Sequence, residues 1–111
     1  MTNSIRLDNG PFTKVKAGTK TVELRLYDEK RKKLKAGDFI EFTNRKDLEK
    51  LTVKILGIHR YDSFEELYTH YDKVSMGYEE DEEANPKDME KYYSKQMQDE
   101  NGVVAIEVKK V

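Results

Sequence analysis

Lysine, glutamate and arginine occur close together near the start of the chain, in the stretch G-T-K-T-V-E-L-R from Gly18 to Arg25. In an extended strand, Glu23 and Arg25 point to the same side about 7 Å apart, since each residue advances the chain by about 3.4 Å. Lys20 stands at the start of that strand. In a cleft, the two cations would attract phosphate or polarise a carbonyl, while the carboxylate would position them or move a proton. The alternatives are a surface strand whose charges pair across it, or a buried ion network.

The other candidate ligand-binding residues are tyrosines and the basic residues that follow the motif. Tyr27 lies on the Glu23 and Arg25 face of the predicted strand, where it could stack on a base, a contact that contributes ~1–3 kcal/mol per base. Further tyrosines could reach the same cleft from a helix, namely Tyr68, Tyr71 and Tyr78. Tyr92 and Tyr93 fit better as helix packing against the sheet. The basic run Lys30-Arg31-Lys32-Lys33, with Lys35, is either a solvated turn or an extension of a phosphate-binding track.

Several kinds of site are excluded by what the sequence lacks. The chain has no cysteine, so disulfides and thiolate chemistry are excluded. Its two histidines, His59 and His70, have no metal-ligand spacing, and we interpret them as structural or surface residues. There is no glycine-rich phosphate loop and no dinucleotide fingerprint. We therefore predict neither a metal nor a cofactor.

Charge is distributed unevenly along the chain. Residues 1–60 contain 15 Lys or Arg and 8 Asp or Glu, whereas residues 61–111 contain 6 and 14. A basic half could contact phosphates, or folding could mix the two halves into one neutral surface. The N-terminus does not resemble a signal peptide and no apolar stretch approaches ~20 residues. We expect a soluble cytoplasmic protein that does not enter a membrane; the pattern does not predict an oligomeric state.

Hydrophobic periodicity predicts the elements that would position these residues. The predicted order is β-α-β-β-β-α-α-β, which favours the α+β class: a small, mostly antiparallel β-barrel with short helices packed at its ends, in one domain over residues 1–111. Gly18 ends the first helix and Gly57 marks a bulge. The predicted strands are Ile5–Leu7, Thr21–Tyr27, Phe39–Thr43, Leu51–Tyr61 and Val103–Val108. The predicted helices are Asp8–Ala17, Ser63–Tyr71 (with a Ser63 and Glu66 capping box) and Pro86–Met97.

Two motifs are specific enough to indicate a family. Gly18, Lys20, Glu23 and Arg25 form the pattern G-x-K-x-x-E-x-R, and the stretch from Lys35 to Phe42 reads K-A-G-D-F-I-E-F. Both resemble the motifs of the ASCH family of the PUA-like superfamily of small β-barrels, in its small single-domain bacterial type. The Tyr61-x-Ser63-Phe64 helix entry and the terminal G-V-V-A-I strand are also similar to the family. The likeness covers essentially the whole chain.

The resemblance implies a cleft that binds single-stranded RNA or a nucleotide- or nucleoside-like ligand. The ligand-binding residues would be Gly18, Lys20, Thr21, Glu23, Arg25, Tyr27, Lys30 and Arg31. Some family members are enzymes, which remove acyl groups from N4-acylated cytidine or cleave single-stranded RNA. In the deacylating branch a lysine matching Lys20 acts with a threonine and a glutamate; here Glu23 occupies the threonine position and Asp72 is the acidic residue nearest to the glutamate position. The alternative function is thus a small hydrolase, an N4-acylcytidine amidohydrolase or a ribonuclease, that uses Lys20 and Glu23 as catalytic residues.

Overall fold

Five strands form one curled sheet, a half-barrel, with short helices packed against it. The computed structural model describes residues 2–111. The strands are β1 (Thr2–Leu7), β2 (Val22–Leu26), β3 (Phe39–Asn44), β4 (Lys50–Tyr61) and β5 (Val103–Lys110); the α-helices are α1 (Asn9–Ala17), α2 (Phe64–Tyr68) and α3 (Lys95–Asn101). The predicted α+β class and the mostly antiparallel, barrel-like sheet are confirmed.

The strand order in the sheet is β1-β3-β4-β5-β2. Neighbouring strands are antiparallel except for β1 and β3, which run parallel. The register of β4 and β5 shifts between Ile55 and Gly57, where the sequence predicts a bulge. The first and last strands in this order, β1 and β2, are the edges of the half-barrel, and the candidate motif lies on one of them.

Apolar side chains pack on both faces of the sheet. The inner face and α1 enclose one cluster, in which Phe12, Ile40 and Phe42 are fully buried. The outer face of β2 and β5 packs against α2 and Met76 in a second cluster. Strand β5 is buried on both faces, which explains why its residues 103–106 form an uninterrupted apolar run rather than an alternating one.

Local signals in the sequence account for the end of α1 and the start of α2. Gly18 has a φ of 88° and stops α1 with its N–H directed at the carbonyls of Lys14 and Val15. Ser63 accepts a hydrogen bond from the Glu66 N–H at the start of α2, as the capping box predicts.

Two predicted helices have different limits in the structure. Helix α2 ends at Tyr68 rather than Tyr71. The predicted helix from Pro86 to Met97 is two elements, a 3-10 helix at Pro86–Lys91 and then α3. The break arises because Ser94 adopts an extended conformation and accepts a hydrogen bond from the Met97 N–H, which starts a new helix.

We expect Phe12→Ala to lower the free energy of unfolding by about 3–5 kcal/mol, since it empties a fully buried site between α1 and the sheet. Leu56→Ala is the matched control, because 54% of Leu56 is exposed and its truncation should change stability by less than about 0.5 kcal/mol. Urea denaturation at neutral pH measures both. Equal effects of the two substitutions would contradict the position of the inner cluster.

Candidate functional site

Lys20 is a buried lysine placed by the end of α1. Only 7% of the residue is exposed. Its ammonium donates hydrogen bonds to Glu23 Oε1 at 2.9 Å and to the Val22 carbonyl at 3.1 Å. Because an ammonium carries three hydrogens, these two acceptors leave one N–H for a ligand.

Glu23 lies on β2 opposite Ile106 of β5, on the inner face of the sheet. It is 5% exposed. Its Oε2 accepts from Arg25 Nε at 3.2 Å and from Arg25 Nη2 at 2.9 Å, while its Oε1 accepts from Lys20. The three side chains therefore form a cation–carboxylate–cation network, as their spacing in the sequence allows.

Electrostatics keep the Glu23 carboxylate ionised. Burial by itself raises the pKa of Glu23, but the charges of Lys20 and Arg25 and their hydrogen bonds outweigh it, so the pKa lies below its ordinary value of 4.5. Burial lowers the pKa of Arg25, but Glu23 and then Tyr93 raise it above its ordinary value. Two cations and one carboxylate leave a net positive charge in the network, which suits a phosphate or a carbonyl oxygen.

The loop of residues 72–78 packs over Lys20 and fixes its position. The Ser75 carbonyl accepts from the backbone N–H groups of Thr21 and Val22. Gly77, with a φ of 111°, lies so close that an added Cβ would be 3.2 Å from Lys20 Cδ. Lys14 donates to the Gly77 carbonyl at 2.6 Å and so ties the loop to α1.

A cleft of about 550 Å³ opens above this network. Its walls combine aromatic and thioether side chains with charges of both signs. The apolar and aromatic lining includes Tyr68, Met76, Tyr78, Met89, Tyr92 and Tyr93. The charged lining consists of the cations Arg6, Lys14, Lys20, Arg25, Arg45 and Lys91 and the acids Asp8, Glu23, Glu82 and Asp88. Such a cleft offers stacking surfaces together with donors and acceptors.

One wall of the cleft is a chain of hydroxyl hydrogen bonds. Tyr78 Oη lies 2.8 Å from Asp88 Oδ2 and 2.9 Å from Tyr68 Oη. An ionised carboxylate only accepts, so Tyr78 donates to Asp88 and Tyr68 donates to Tyr78. Burial, followed by its two hydrogen-bond partners, raises the pKa of Tyr78, which keeps its hydroxyl protonated. Since the Tyr68 proton is used, its oxygen is left as an acceptor for a ligand N–H.

Tyr92 and Tyr93 also line the cleft, although the sequence favours helix packing for both. Tyr93 stacks on Phe64 with ring centroids 6.2 Å apart, so it joins the outer cluster to the cleft. Tyr92 is 65% exposed at the rim. The signal that could have placed them is Ser94: an N-cap after two tyrosines means that neither of them lies inside a continuous helix.

The other predicted ligand-binding residues lie around the network rather than in it. Gly18 and Thr21 are exposed and line no part of the cleft. The Tyr27 ring lies outside the cleft, with Lys32 Nζ at 6.0 Å and Arg60 Cζ at 5.9 Å from its centroid. Lys30 and Arg31 line a second depression that adjoins the cleft.

The remaining aromatic and histidine candidates form a separate group on β4, β5 and the segment after α2. Tyr71 donates to Glu107 Oε2 at 2.8 Å, away from the cleft. His59 Nε2 lies 3.4 Å from the same carboxylate, and His70 stacks on Tyr61 at 4.8 Å. Both histidines are exposed. Among residues 2–111, no group of three or more His, Asp or Glu side chains could hold a metal ion.

Within the described chain, no helix is both long enough and apolar enough to cross a membrane. The curled sheet, its short helices and the charged edge strand define a small domain of the PUA-like type. The ASCH domain family model matches residues 6–111, and the chain belongs to that family.

Solved structures agree with this assignment. The chain is 32% identical to the hypothetical protein PH0355, with a TM-score of 0.80 over the whole of both chains. It is 29% identical to protein PF0455 from Pyrococcus furiosus, with a TM-score of 0.73 over 100% of this chain and 98% of that one. The S128A mutant of ZmASCH from Zymomonas mobilis shares the fold, with 15% identity and a TM-score of 0.70 over 97% of this chain and 67% of that one. No curated protein matches the chain at a significant level.

We expect Glu23→Gln to lower the free energy of unfolding at pH 7 by about 3–5 kcal/mol, because Lys20 and Arg25 then lose their shared counter-ion. Because the pKa of Glu23 is lower in the folded state, its contribution is fully present above the unfolded value near 4.5 and is lost as the pH falls through the folded value. The difference between wild type and Glu23→Gln should therefore shrink below about pH 4.5.

Urea denaturation between pH 7 and pH 3 measures this difference. Glu49→Gln is the control, since Glu49 pairs with Lys16 on the surface and its loss should cost no more than about 1 kcal/mol. A Glu23→Gln protein that loses stability in acid as steeply as wild type would contradict the proposed ionisation.

Proposed function

We propose that this ASCH domain, one domain over residues 1–111, binds single-stranded RNA or a nucleotide-like ligand in the cleft above the Lys20–Glu23–Arg25 network. The observation that carries the proposal is the combination of a buried, positively charged network with an aromatic-walled cleft of about 550 Å³. That volume falls in the range of ligand pockets.

Donors and acceptors lie side by side in the network. Lys20 has one N–H free for a base carbonyl or a phosphate oxygen. The Glu23 carboxylate has about four lone-pair positions and uses three of them, which leaves one for a base amino group. Nucleobases present this mixture of carbonyl and amino groups on one edge.

Tyrosines supply faces on which a base could stack. Tyr92 is exposed at the rim and Tyr93 is held against Phe64. Tyr68, which packs against the same outer cluster as Tyr93, offers a hydroxyl oxygen whose own proton is already donated to Tyr78. Aromatic stacking together with fixed polar groups is how proteins bind unpaired bases.

The alternative is a hydrolase that uses Lys20 and Glu23, acting as an N4-acylcytidine amidohydrolase or a single-strand ribonuclease. The electrostatics of Glu23 favour binding over this role. A general base works best with a pKa near the operating pH, whereas the two cations hold the pKa of Glu23 below its ordinary value. Both of its oxygens also accept hydrogen bonds from those cations.

We expect Tyr92→Ala to weaken binding of a short single-stranded RNA about 5- to 150-fold, which corresponds to the ~1–3 kcal/mol of one base stack. Because Tyr92 is largely exposed, this change should leave the thermal unfolding midpoint unchanged. Fluorescence anisotropy with a labelled RNA measures the affinity. Met97→Ala is the control, since Met97 is 43% exposed and lies outside the cleft. Equal affinities for the Tyr92 variant and wild type would count against stacking in the cleft.

A turnover assay separates binding from hydrolysis. Mass spectrometry follows a short RNA carrying one N4-acetylcytidine after incubation with wild type and with the Lys20→Met/Glu23→Gln protein, which removes both candidate catalytic groups. Since Arg25 then lacks its counter-ion, circular dichroism first checks that this variant is folded. We expect the RNA mass to stay unchanged with wild type, and the double variant to bind it more weakly. If wild type, but not the double variant, removes the acetyl group or cleaves the strand, the protein is a hydrolase and the proposal of binding without turnover is wrong.

A further inference from the structure

The two edges of the half-barrel, β1 and β2, approach each other without pairing. Arg25 bridges this seam by donating from Nη2 to the Arg6 carbonyl at 3.4 Å. A second depression of about 550 Å³ lies along the seam; we call it the seam groove. Its charged lining residues are Arg6, Arg25, Lys30, Arg31, Glu41, Arg45 and Lys50.

The seam groove is strongly cationic. Six of its lining residues are Lys or Arg and one, Glu41, is acidic. Four of these six cations pair with a carboxylate: Arg25, Arg31, Arg45 and Lys50, at 2.9, 3.1, 3.2 and 3.0 Å respectively. Within residues 2–111, Arg6 and Lys30 form no ion pair, and both are exposed. The groove therefore has positive charge that the protein itself does not neutralise.

The seam groove and the cleft are lined by different kinds of side chain. The cleft is walled by tyrosines, whereas no aromatic side chain lines the groove among the residues that the structure describes. Bases need flat apolar surfaces, and the phosphodiester backbone needs cations. The lining of the seam groove therefore suits a phosphodiester backbone and does not suit a nucleobase.

The two depressions are contiguous. Arg6, Arg25 and Arg45 line both of them. A nucleotide whose base enters the cleft would have its neighbouring phosphates beside these arginines, and a longer strand would continue towards Lys30 and Lys50.

We propose that the seam groove is the phosphodiester path of a single strand whose base occupies the cleft. The inference rests on the proposed function and narrows it: the ligand is a single-stranded polynucleotide several nucleotides long, rather than a free nucleoside or mononucleotide. The phosphodiester backbone is common to RNA and DNA, and the 2′-hydroxyl distinguishes them.

The test compares ligands of increasing length at several salt concentrations. NMR titration measures binding of nucleoside monophosphates, and fluorescence anisotropy measures labelled RNA and DNA strands of two to eight nucleotides. The groove variants are Lys30→Ala and Lys30→Ala/Lys50→Ala. Lys33→Ala is the matched control, because Lys33 is exposed on the same basic turn but lines neither depression. Tyr92→Ala reports on the cleft.

For wild type we expect affinity to rise with strand length. In the groove variants, the slope of the logarithm of the association constant against the logarithm of the salt concentration should be smaller in magnitude than in wild type. The decrease should be about 0.7 for each phosphate contact removed, as is usual for single strands. Lys33→Ala should keep the wild-type slope. The groove variants should bind mononucleotides as wild type does, since the cleft is intact. If the groove substitutions weaken binding of RNA and DNA equally, the groove recognises the phosphates alone. If wild type also binds RNA more tightly than DNA, the protein makes an additional contact to the 2′-hydroxyl.

The outcomes distinguish failure of this inference from failure of the proposed function. If Tyr92→Ala weakens binding but the groove variants bind eight-nucleotide strands with the wild-type slope, the seam groove is not the strand path and the cleft function stands. If the groove variants lose affinity while Tyr92→Ala does not, the strand path stands and base binding in the cleft fails. If neither mononucleotides nor strands bind, both proposals are overturned.

Discussion

The buried carboxylate of Glu23 is the constraint around which this part of the structure is arranged. An ionised carboxylate without partners is too costly to bury, so its two oxygens must face cations. Lys20 reaches one oxygen only because Gly18 ends α1 just before it, and Arg25 reaches the other because it lies two residues along the same strand face. A slip of β2 by one residue would place Glu23 in the apolar outer cluster, so the ion network and the strand register depend on each other.

Much of this network could be predicted because it is local. Lys20, Glu23 and Arg25 lie within six residues, and strand alternation alone puts the last two on one face. The bulge at Gly57 and the capping box at Ser63 are also local signals, and the structure has both. The sequence suggests Tyr68 and Tyr78 as cleft residues, and both line the cleft. Tyr92 and Tyr93 could not be placed in this way, because residues 68–93 reach β2 through long-range packing. At Ser94 two sequence signals disagree. The apolar periodicity of residues 86–97 predicts one continuous helix, whereas Ser94 is an N-cap that starts a new one.

The basic first half and the acidic second half of the sequence contribute differently to the cleft and to the seam groove. In the cleft the halves mix: Lys14 pairs with Glu79, and Asp88 accepts a hydrogen bond from Tyr78. The seam groove, in contrast, is lined entirely by residues 4–50, so the excess of basic residues in the first half persists there. Composition could not decide between these outcomes, since they depend on which surfaces the acidic segment covers.

This separation matters for how a ligand would be recognised. Contacts to phosphates position a strand and supply most of the salt-dependent affinity, whereas contacts to base edges carry sequence information. Arg25 belongs to both surfaces, and two of its nitrogens are already fixed by Glu23. A phosphate between the cleft and the seam groove would therefore contact an Arg25 side chain that folding has already ordered. Binding then costs little additional side-chain entropy. Glu23 therefore both stabilises the edge strand and holds Arg25 in place before a ligand binds.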